Sequence, residues 1–422
     1  MSPDRCVLHL GLRRSPLEWR PEIDAAAQLG HAVYVHSDTG LGHLGLPDDR
    51  IAAFTRTEPA EDVAARALRQ AQDGGHRPVA VLCWGDRYVD IAARVSQALG
   101  LRGPSVTAAA VCLDKAAQRR ALEPHGLNPR RRTGTTAEEL RAAVGEFGLP
   151  LIFKLAHSSG GRGSVVLDTD TEPDELMKLT SLNYEDSDAF LVEELVDGSE
   201  HSVSGLVHGN EVVILAVSDK YLAPGELRTT TTVVPSALTA DQLERVHEAA
   251  ERAVRAVGIE TGGFHVDLRY AAEGPVVLEI GARLGGDLIN SHLVPLATDG
   301  AADPYRSLVE ALADGELPRP APFVTTAAMH LLPAPADADL PALLSRLAEH
   351  PAVRVAAEWP SPEDEVVVVV TAQDPDTIPA ILEDLRRRTG RQSPLTGGEG
   401  EILLRTGGEP AVISCPPAPQ SV

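Results

Sequence analysis

Short apolar runs alternate with longer amphipathic segments in the N-terminal quarter of the chain. Runs rich in Val, Leu and Ala are typical of buried strands, whereas apolar positions spaced three and four apart are typical of helices. The predicted strands cover residues 6–10, 31–38 and 78–85, and the predicted helices cover residues 20–29, 59–72 and 87–99. Strands that alternate with helices of this length favour a parallel sheet with helices on both faces. We therefore predict an open α/β domain over residues 1–107.

The middle of the chain has a different pattern, because strand-like runs follow one another across short turns. A mostly helical stretch, 108–145, comes first and contains a turn-rich run at 123–134. Strands are predicted at 149–157, 165–169, 190–196, 200–209, 211–222, 264–270 and 276–283, and helices at 172–181 and 239–257. Strands joined by short turns indicate antiparallel pairing, with hairpins between residues 190 and 222. We predict an α+β domain over residues 108–320, with a lid subdomain at about 149–200.

A third region follows residue 320, where a linker rich in Pro, Ala and Asp interrupts the pattern. The elements predicted beyond it are helices at 340–349 and 376–388 and a strand at 365–372. They indicate a small α+β cap over residues 321–412. Proline is frequent at 413–422, and we expect this tail to be disordered.

The net charge of the chain is strongly negative, since 38 Lys and Arg against 61 Asp and Glu give −23. Such a chain repels phosphate backbones and anionic membranes, so we expect it to bind neither nucleic acid nor membranes. The four cysteines include no CxxC pair, which argues against a cysteine-only zinc site or a disulfide framework. The sequence shows neither a signal peptide nor a membrane-length apolar run. We expect a soluble, cytoplasmic, globular protein.

Lysine is rare in this chain and occurs only at positions 115, 154, 178 and 220. Lys154 lies in a predicted strand that leads into a loop of small residues, Ser158–Ser164. Glycines let the backbone approach an anion, successive N–H groups can hold phosphate oxygens, and a nearby lysine adds positive charge. The loop matches neither a Walker A motif nor a dinucleotide fingerprint. A mobile hairpin tip therefore stays an equal alternative to a phosphate-binding loop.

Two carboxylates occupy adjacent predicted strands. Asp267 lies in one strand and Glu279 in the next, with a turn near Gly274 between them. A symmetric hairpin places the two residues nearly opposite each other on one face, where like charges repel unless a cation lies between them. Oxygen-only ligands of this kind suit Mg²⁺. Because Glu279 has apolar neighbours, we expect it to be buried, and we favour a metal site over two solvated carboxylates.

Arg283 lies near the end of the second of these strands and precedes Gly285, Gly286 and Asp287. An arginine beside a phosphate can stabilise charge that develops during a reaction, and the backbone N–H groups of the glycines can face a ligand. The alternative is a structural ion pair, with Asp287 as a candidate partner. A separate acidic segment, 193–200, is either exposed to solvent or arranged around a nucleoside.

In this order, these features resemble the ATP-grasp superfamily, and within it the carboxylate–amine ligases that include the bacterial L-amino-acid ligases. The resemblance extends over residues 5–320. It rests on four runs, at residues 92–122, 149–164, 190–203 and 276–300, of which the last is the most specific. It implies an ATP-grasp fold with an N-terminal α/β domain, a central ATP-grasp domain and a C-terminal α+β cap.

The resemblance also implies a nucleotide site and a metal site. The residues that it assigns to ATP are Lys115, Lys154, Ser159, Gly160, Gly161, Gly163, Ser164, Glu193, Glu194, Val196 and Glu200. The two lysines would contact the phosphates, the loop would close over them, and the acidic segment would meet the adenine and the ribose. Asp267 and Glu279 would hold one or two Mg²⁺ ions, with Mn²⁺ as the alternative metal.

On the substrate side, the resemblance implies that Arg283 faces an acyl phosphate, with Gly285 and Gly286 beside it. Arg283 and Lys154 would be the catalytic residues. The amino-acid ligases often carry an acidic residue and a histidine ahead of a Val/Phe-Pro step, but residues 229–232 are all threonine here. This departure leaves both substrates open, and it makes Arg228 a candidate contact for an anionic substrate.

The second departure is Asp267, which stands where many relatives have Glu. The activity that the resemblance implies is ATP-dependent formation of an amide bond through an acyl phosphate, with release of ADP and phosphate. We expect the protein to join an amino acid or a related small carboxylate to an amine, and to form a homodimer. Two alternatives stay open: a carboxylase that activates bicarbonate as carboxyphosphate, and a nucleotide-binding protein without turnover.

Overall fold

The computed structural model describes residues 4–38, 44–55, 57–158, 163–168, 172–183, 187–209, 211–222, 227–335, 337–361 and 364–389. The strands are β1 (Arg5–Leu10), β2 (Ala32–Ser37), β3 (Ile51–Ala53), β4 (Arg77–Leu82), β5 (Arg131–Gly134), β6 (Leu151–Leu155), β7 (Ser164–Leu167), β8 (Phe190–Glu194), β9 (Ser199–His208), β10 (Glu211–Leu222), β11 (Thr229–Val234), β12 (Thr261–Ala271), β13 (Gly274–Gly281), β14 (Thr326–Pro333), β15 (Val353–Trp359) and β16 (Glu365–Ala372). The α-helices are α1 (Pro16–Gln28), α2 (Ala60–Asp73), α3 (Val89–Leu99), α4 (Val106–Leu113), α5 (Lys115–Leu122), α6 (Ala137–Phe147), α7 (Pro173–Met177), α8 (Ala240–Ala256), α9 (Val294–Ala297), α10 (Pro304–Asp314), α11 (Leu340–Ala348) and α12 (Ile378–Arg388). Among the described helices, none has both the length and the apolar character needed to cross a membrane.

The N-terminal sheet has the order β3-β2-β1-β4, and each neighbouring pair runs parallel. Side chains of β1 alternate between two apolar clusters. Val7 packs with Trp19 and Ile23 of α1, whereas Leu8 packs on the other face with Val63 of α2. The predicted parallel sheet with helices on both faces is therefore confirmed.

The second sheet, which we call the lid sheet, is antiparallel and has the order β5-β8-β6-β7. Phe153 and Phe190 stack in its core, with their ring centroids 5.2 Å apart. The sequence predicts a turn-rich run where β5 lies, and this prediction is wrong. Arg131–Gly134 pairs with β8 along the edge of the sheet, and because none of its residues is buried, no apolar periodicity marks it in the sequence.

The third sheet, which we call the central sheet, has the order β13-β12-β9-β10-β11-β14-β16-β15. The predicted hairpin of β9 and β10 is confirmed, but β8, predicted beside them, pairs with β5 and β6 of the lid sheet. Three of the strands, β11, β14 and β15, are missing from the prediction. β11 has the sequence TTTTVV. The four threonines are polar, so no apolar run marks this strand in the sequence, although β-branched side chains favour strands.

The region after residue 320 contributes β14, β15 and β16 to the central sheet. Every valine of the run Val366–Val370 is buried, because alternate side chains enter apolar clusters on opposite faces. The domain limits predicted at residues 107, 320 and 412 stay predictions. The predicted disordered tail, 413–422, lies outside the described residues.

The two faces of the central sheet differ in character along β9 and β12. Val203, Val266 and Leu268 pack in one apolar cluster with residues of α8. Ser202 and Asp267, which pair with each other across the two strands, lie on the opposite face. Because side chains alternate along a strand, this polar face is where the predicted site residues of the central sheet gather.

A glycine in the middle of β9 is expected to be essential for the pairing of the central sheet. A methyl group on Gly205 would lie 2.4 Å from Phe264 Cζ and 2.5 Å from the carbonyl oxygen of Val213. Because the strand backbone must shift to admit it, we expect Gly205→Ala to lower the free energy of unfolding by roughly 1–3 kcal/mol in urea denaturation.

Gly145 of α6 is the matched control, since nothing lies within 4 Å of a Cβ placed there. Alanine favours a helix over glycine, so Gly145→Ala is expected to stabilise the protein by roughly 0.5–1 kcal/mol. Equal free energies of unfolding for the two variants would contradict the packing described for β9.

Candidate active site

The two predicted carboxylates lie directly opposite each other, because Asp267 of β12 pairs in register with Glu279 of β13. The next pair is Leu268 with Val277, so Leu278 forms a β-bulge. The predicted burial of Glu279 is wrong, since 34% of its side chain is exposed. The bulge explains the error, because it turns both Val277 and Ile280 toward the core and leaves Glu279 on the polar face.

Each of the two carboxylates has a lysine as its partner. Lys220 Nζ lies 3.2 Å from Asp267 Oδ1, and Lys115 Nζ lies 3.1 Å from Glu279 Oε1. Burial opposes ionisation of Asp267, but the charge of Lys220 and the contact with His265 hold its pKa well below the usual value. Each of the two carboxylates therefore has the ammonium group of a lysine beside it.

The donor set of this pair fits a magnesium ion. Asp267 and Glu279 offer only carboxylate oxygens, which are the ligands that Mg²⁺ prefers, and it usually completes its shell with water and substrate phosphates. Within the described part of the chain, no group of three or more His, Cys, Asp or Glu residues is arranged to hold a metal. A metal here would therefore depend on ligands brought by a phosphate-bearing substrate.

Three of the four lysines converge on this region, one more than the sequence indicated. Lys115 donates to the carbonyl oxygen of Ser158 over 2.5 Å, and Lys154 lies 2.8 Å from Glu193 Oε2. Lys220, which also lies 3.3 Å from Asp287 Oδ2, was missed. Lys178 is exposed and pairs only locally with Glu175 among the described contacts. The rarity of lysine was the signal that could have identified Lys220.

Glu193 is buried between two cations. Its side chain is 1% exposed and accepts hydrogen bonds from Lys154 and from Arg119, whose Nε donates over 2.5 Å. Burial opposes ionisation, but the two cations lower the pKa of Glu193 to about 2. The Glu193 carboxylate is thus part of an internal ion-pair network with Arg119 and Lys154. Its contact with adenine stays a prediction.

The rest of the predicted nucleotide segment lies where the lid sheet meets the central sheet. Glu194 pairs with Arg130 at 2.9 Å. Arg269 of β12 donates to the Val196 carbonyl oxygen over 2.7 Å and lies 3.2 Å from Glu200 Oε2. The polar groups that would meet a nucleoside are therefore held by arginines, and their roles toward ATP stay predictions.

The predicted phosphate loop is described only at its two ends. Ser159, Gly160 and Gly161 lie outside the described residues. Gly163 has a φ of +69°, and a Cβ there would lie 2.2 Å from Leu155 Cδ1, so only glycine fits. Ser164 begins β7 and pairs with Lys154, which ties the end of the loop to the strand of that lysine.

Arg283 binds a carboxylate that the sequence did not identify. Its Nε and Nη2 lie 2.9 Å and 2.5 Å from the two oxygens of Asp86, just beyond the carboxyl end of β4. Arg283 thus forms an ion pair, as the alternative interpretation expected, but the candidate partner Asp287 is wrong, because Asp287 contacts Lys220 instead. The carboxyl ends of parallel strands are where open α/β sheets bind ligands, so Asp86 brings that edge of the N-terminal sheet to Arg283.

The glycine pair after Arg283 is oriented by Arg13. Arg13 Nη2 donates to the carbonyl oxygens of Leu284 and Gly285 over 2.7 Å and 2.9 Å. In a trans peptide the N–H points away from the C=O, so the N–H groups of Gly285 and Gly286 point away from Arg13. No residue in the described ranges accepts from either N–H. Two backbone donors are thus available beside Arg283.

Arg13 is flanked by two buried carboxylates of α1, Glu18 and Glu22, each 3.6 Å from its guanidinium. Arg13 also donates to the Tyr305 hydroxyl over 2.6 Å. Burial outweighs the attraction of Arg13 and raises the pKa of Glu22 to about 8. Arg13, which orients the glycine pair, is therefore itself held by two buried glutamates and a tyrosine.

Arg228, predicted to meet an anionic substrate, pairs with Glu365 of β16 at 2.6 Å. It immediately precedes β11, where Thr232 pairs in register with Lys220. The side chain of Thr232 therefore lies on the same face as Lys220. The contact of Arg228 with a substrate stays a prediction.

A Ser–His–Asp chain lies on the other face of the central sheet. His201 is 2.7 Å from Ser199 Oγ through Nε2 and 2.8 Å from Asp219 Oδ1 through Nδ1. Asp219 also accepts from the hydroxyl of Ser236 and, over 2.9 Å, from the backbone N–H of Ala237. These bonds hold the chain segment after β11, which is a structural role.

Comparison with known proteins points to one family. Residues 164–291 match the ATP-grasp domain family. A D-alanine–D-alanine ligase of Janthinobacterium sp. (strain Marseille) is 30% identical over 221 residues, which cover 49% of this chain and 67% of that protein. An alanine–anticapsin ligase of Bacillus subtilis (strain 168) is 27% identical over 252 residues, which cover 54% of this chain and 53% of that protein. The chain thus spans about half the length of several curated relatives that it matches.

A solved structure extends the likeness over most of the chain. The L-amino acid ligase from Bacillus licheniformis superposes with a TM-score of 0.73, covering 92% of this chain and 98% of that chain at 18% sequence identity. At this identity the likeness concerns the fold, and the ATP-grasp fold expected from the sequence is confirmed.

The raised pKa of Glu22 predicts a pH-dependent change in stability. Native Glu22 keeps its proton up to about pH 8, whereas an unfolded glutamate releases it near pH ~4.3. Between these values the native state binds more protons, so the free energy of unfolding falls as the pH rises. Glu22→Gln has no such proton, so its free energy of unfolding should not fall in this way. The difference in melting temperature, variant minus wild type, should therefore increase by roughly a few degrees between pH 5 and pH 8.

Asp24→Asn is the control, because Asp24 is exposed on the same helix. The measurement is the melting temperature of both variants and the wild type between pH 5 and pH 8, and Asp24→Asn should show no such pH-dependent difference. A difference between Glu22→Gln and the wild type that is constant with pH would contradict the assigned shift.

Proposed function

Because the chain belongs to the ATP-grasp family, we propose that it is an ATP-dependent carboxylate–amine ligase. In this proposal a carboxylate is phosphorylated by ATP and the resulting acyl phosphate is attacked by an amine, which yields an amide, ADP and phosphate. The reaction class is that of ADP-forming ligases that make C–N bonds. The proposal extends to the whole chain what its relatives' names state for those proteins.

The observation that carries the proposal is the pair of opposed carboxylates with its two lysines. Asp267 and Glu279 are each balanced by an ammonium group, from Lys220 and Lys115. A metal–phosphate ligand can replace both partners at once, because the metal takes the carboxylates and the phosphates take the lysines. Such an exchange keeps every charge paired, which a site in a partly buried region requires.

Asp267 and Glu279 are the residues that would hold Mg²⁺, and Mn²⁺ is the alternative metal. When bound, such an ion polarises phosphate oxygens and offsets the charge that develops on them. The residues of the chain supply the rest of the electrostatic balance. Lys115, Lys154 and Lys220 are proposed to neutralise the phosphates, and the loop before Ser164 would exclude water from the acyl phosphate.

The second step is the attack of the amine on the activated carbonyl carbon. The bond to nitrogen forms, negative charge develops on the carbonyl oxygen, the nitrogen releases one proton, and the C–O bond to phosphate then breaks. The N–H groups of Gly285 and Gly286 are proposed to donate to that oxygen, and Arg283 to pair with the departing phosphate. Preoriented donors of this kind need no rearrangement as the charge develops.

The substrates are proposed by class. The names of the relatives concern alanine, anticapsin and D-alanine, so we propose that an amino acid or a related small carboxylate is one substrate and an amine the other. The threonines of β11 and Arg228 set this site apart from the amino-acid ligases, and Arg228 is proposed to meet an anionic group. We further propose a cytoplasmic homodimer that acts without nucleic acid or membrane.

The two alternatives are less favoured. The sequence relatives reported above carry ligase names, which does not favour bicarbonate activation. A protein without turnover would have no need for Asp267, Glu279 and Arg283 together with three converging lysines.

The decisive assay is release of phosphate from Mg²⁺-ATP over a panel of carboxylic acids, each with and without a pool of amino acids and other amines, followed by mass spectrometry. We expect release only when a carboxylate and an amine are both present, with a product lighter than their sum by one water. Release that requires bicarbonate would instead support the carboxylase.

Substitutions at the site should separate binding from turnover. Glu279→Gln and Arg283→Ala are expected to bind ATP but to lose turnover by roughly 100-fold or more. Glu279→Gln removes a proposed metal ligand, so its ATP binding should need more Mg²⁺ than that of the wild type, whereas Arg283→Ala removes charge stabilisation needed only during the reaction. ATP binding by calorimetry and turnover by phosphate release are the measurements.

Lysine variants supply a matched comparison. Lys115→Ala and Lys154→Ala are expected to weaken ATP binding, whereas Lys178→Ala, which removes the exposed lysine, is expected to match the wild type. Normal turnover in Glu279→Gln or Arg283→Ala would overturn the assignment of the site.

A further inference from the structure

Helix α5 carries two buried cations, Lys115 and Arg119, which we call the α5 cation pair. Their side chains are 6% and 1% exposed. Residues four apart lie on the same face of a helix, so both cations point to the same side of α5. That side faces the place where the lid sheet and the central sheet meet.

Each member of the α5 cation pair bridges the two sheets. Lys115 donates to the carbonyl oxygen of Ser158, three residues after the lid strand β6, and contacts Glu279 of β13. Arg119 binds Glu193 of β8 through Nε and Nη2, at 2.5 Å and 3.0 Å, and donates from Nη2 to the Leu278 carbonyl oxygen over 2.7 Å. The pair therefore reaches consecutive residues, 278 and 279, of the same strand.

The contact with Leu278 falls on the β-bulge. A bulge residue loses its regular partner in the ladder, so its polar groups need another one. Arg119 supplies that partner for the Leu278 carbonyl, and the neighbouring Gln118 accepts from the N–H of Ile280 over 3.0 Å. Side chains of α5 thus hydrogen-bond to the backbone of β13 on both sides of Glu279.

This arrangement lets Val277 and Glu279 face opposite sides of the sheet. Without the bulge, the two residues would lie on the same face of β13, so Val277 could enter the core only if the Glu279 carboxylate did too. With the bulge in place, Val277 faces the core while Glu279 stands opposite Asp267.

We propose that Arg119 is a positioning residue for the magnesium–ATP site. It touches no reacting atom; it fixes the bulge that presents Glu279, and it fixes Glu193, which orients Lys154. The inference rests on the proposed function only in that its readout is binding of Mg²⁺ and ATP. Arginine is required because its planar fork can hold both oxygens of Glu193 and a carbonyl together, whereas an ammonium group is a single point.

The test is the Mg²⁺ dependence of binding of a fluorescent ATP analogue, mant-ATP, to the full chain. In Arg119→Lys, which keeps the charge but not the fork, the Mg²⁺ concentration for half-maximal binding should rise by about 10-fold or more, as is usual when a residue that orients a metal ligand is lost. Arg120→Lys is the matched control, since the adjacent Arg120 is 70% exposed, and it should bind like the wild type.

A second variant guards against a failure of Arg119→Lys to fold. Arg119→Met removes every donor but leaves Glu193 paired with Lys154, so the buried charge stays balanced, and the same shift in Mg²⁺ dependence is expected. Circular dichroism reports the folded state of each variant.

A folded Arg119 variant with the Mg²⁺ dependence of the wild type would overturn the inference and leave the proposed function intact. If the wild-type chain itself does not bind mant-ATP with Mg²⁺, the proposed function fails, and the inference fails with it.

Discussion

The repulsion between two opposed carboxylates is the constraint on which the rest of the site depends. Unit charges of the same sign about 4 Å apart near a protein surface repel by roughly 4 kcal/mol, so Asp267 and Glu279 can share a ladder position only with cations beside them. The protein alone supplies Lys220 and Lys115. Without a ligand, the carboxylates are paired with lysines. In the proposed complex, the carboxylates would pair with a metal ion and the lysines with phosphates, so no charge would be left without a partner.

The three sheets contribute different parts of this balance. The lid sheet supplies Lys154 and Glu193, and the central sheet supplies both carboxylates and Lys220. The N-terminal sheet, through Asp86, holds Arg283 at the far end of the site. The proposed nucleotide end therefore depends on contacts between the lid and central sheets, and the proposed acyl end on contacts with the N-terminal domain. Helix α5 joins the first two through the α5 cation pair.

The sequence predicts what local periodicity encodes. The parallel sheet, the hairpin of β12 and β13 and the opposed carboxylates follow from apolar alternation and one turn. Lys154 was indicated by its place beside the glycine-rich loop, and Lys115 by the resemblance to the ATP-grasp superfamily. What it missed depends on contacts between distant residues: Asp86 lies 197 positions from Arg283, and Arg119 lies 159 from Leu278. Pattern also fails where polar residues form strands, as in β11, and where a bulge shifts the alternation, as at Glu279.

The central claim is that a carboxylate is activated as an acyl phosphate, and the fate of its oxygen tests this most directly. With a carboxylate substrate labelled with ¹⁸O and its amine partner, the account predicts that one labelled oxygen appears in the released inorganic phosphate, because the oxygen that attacks phosphorus leaves with it. Label recovered in AMP, or amide formation with no label in the phosphate, would contradict the account.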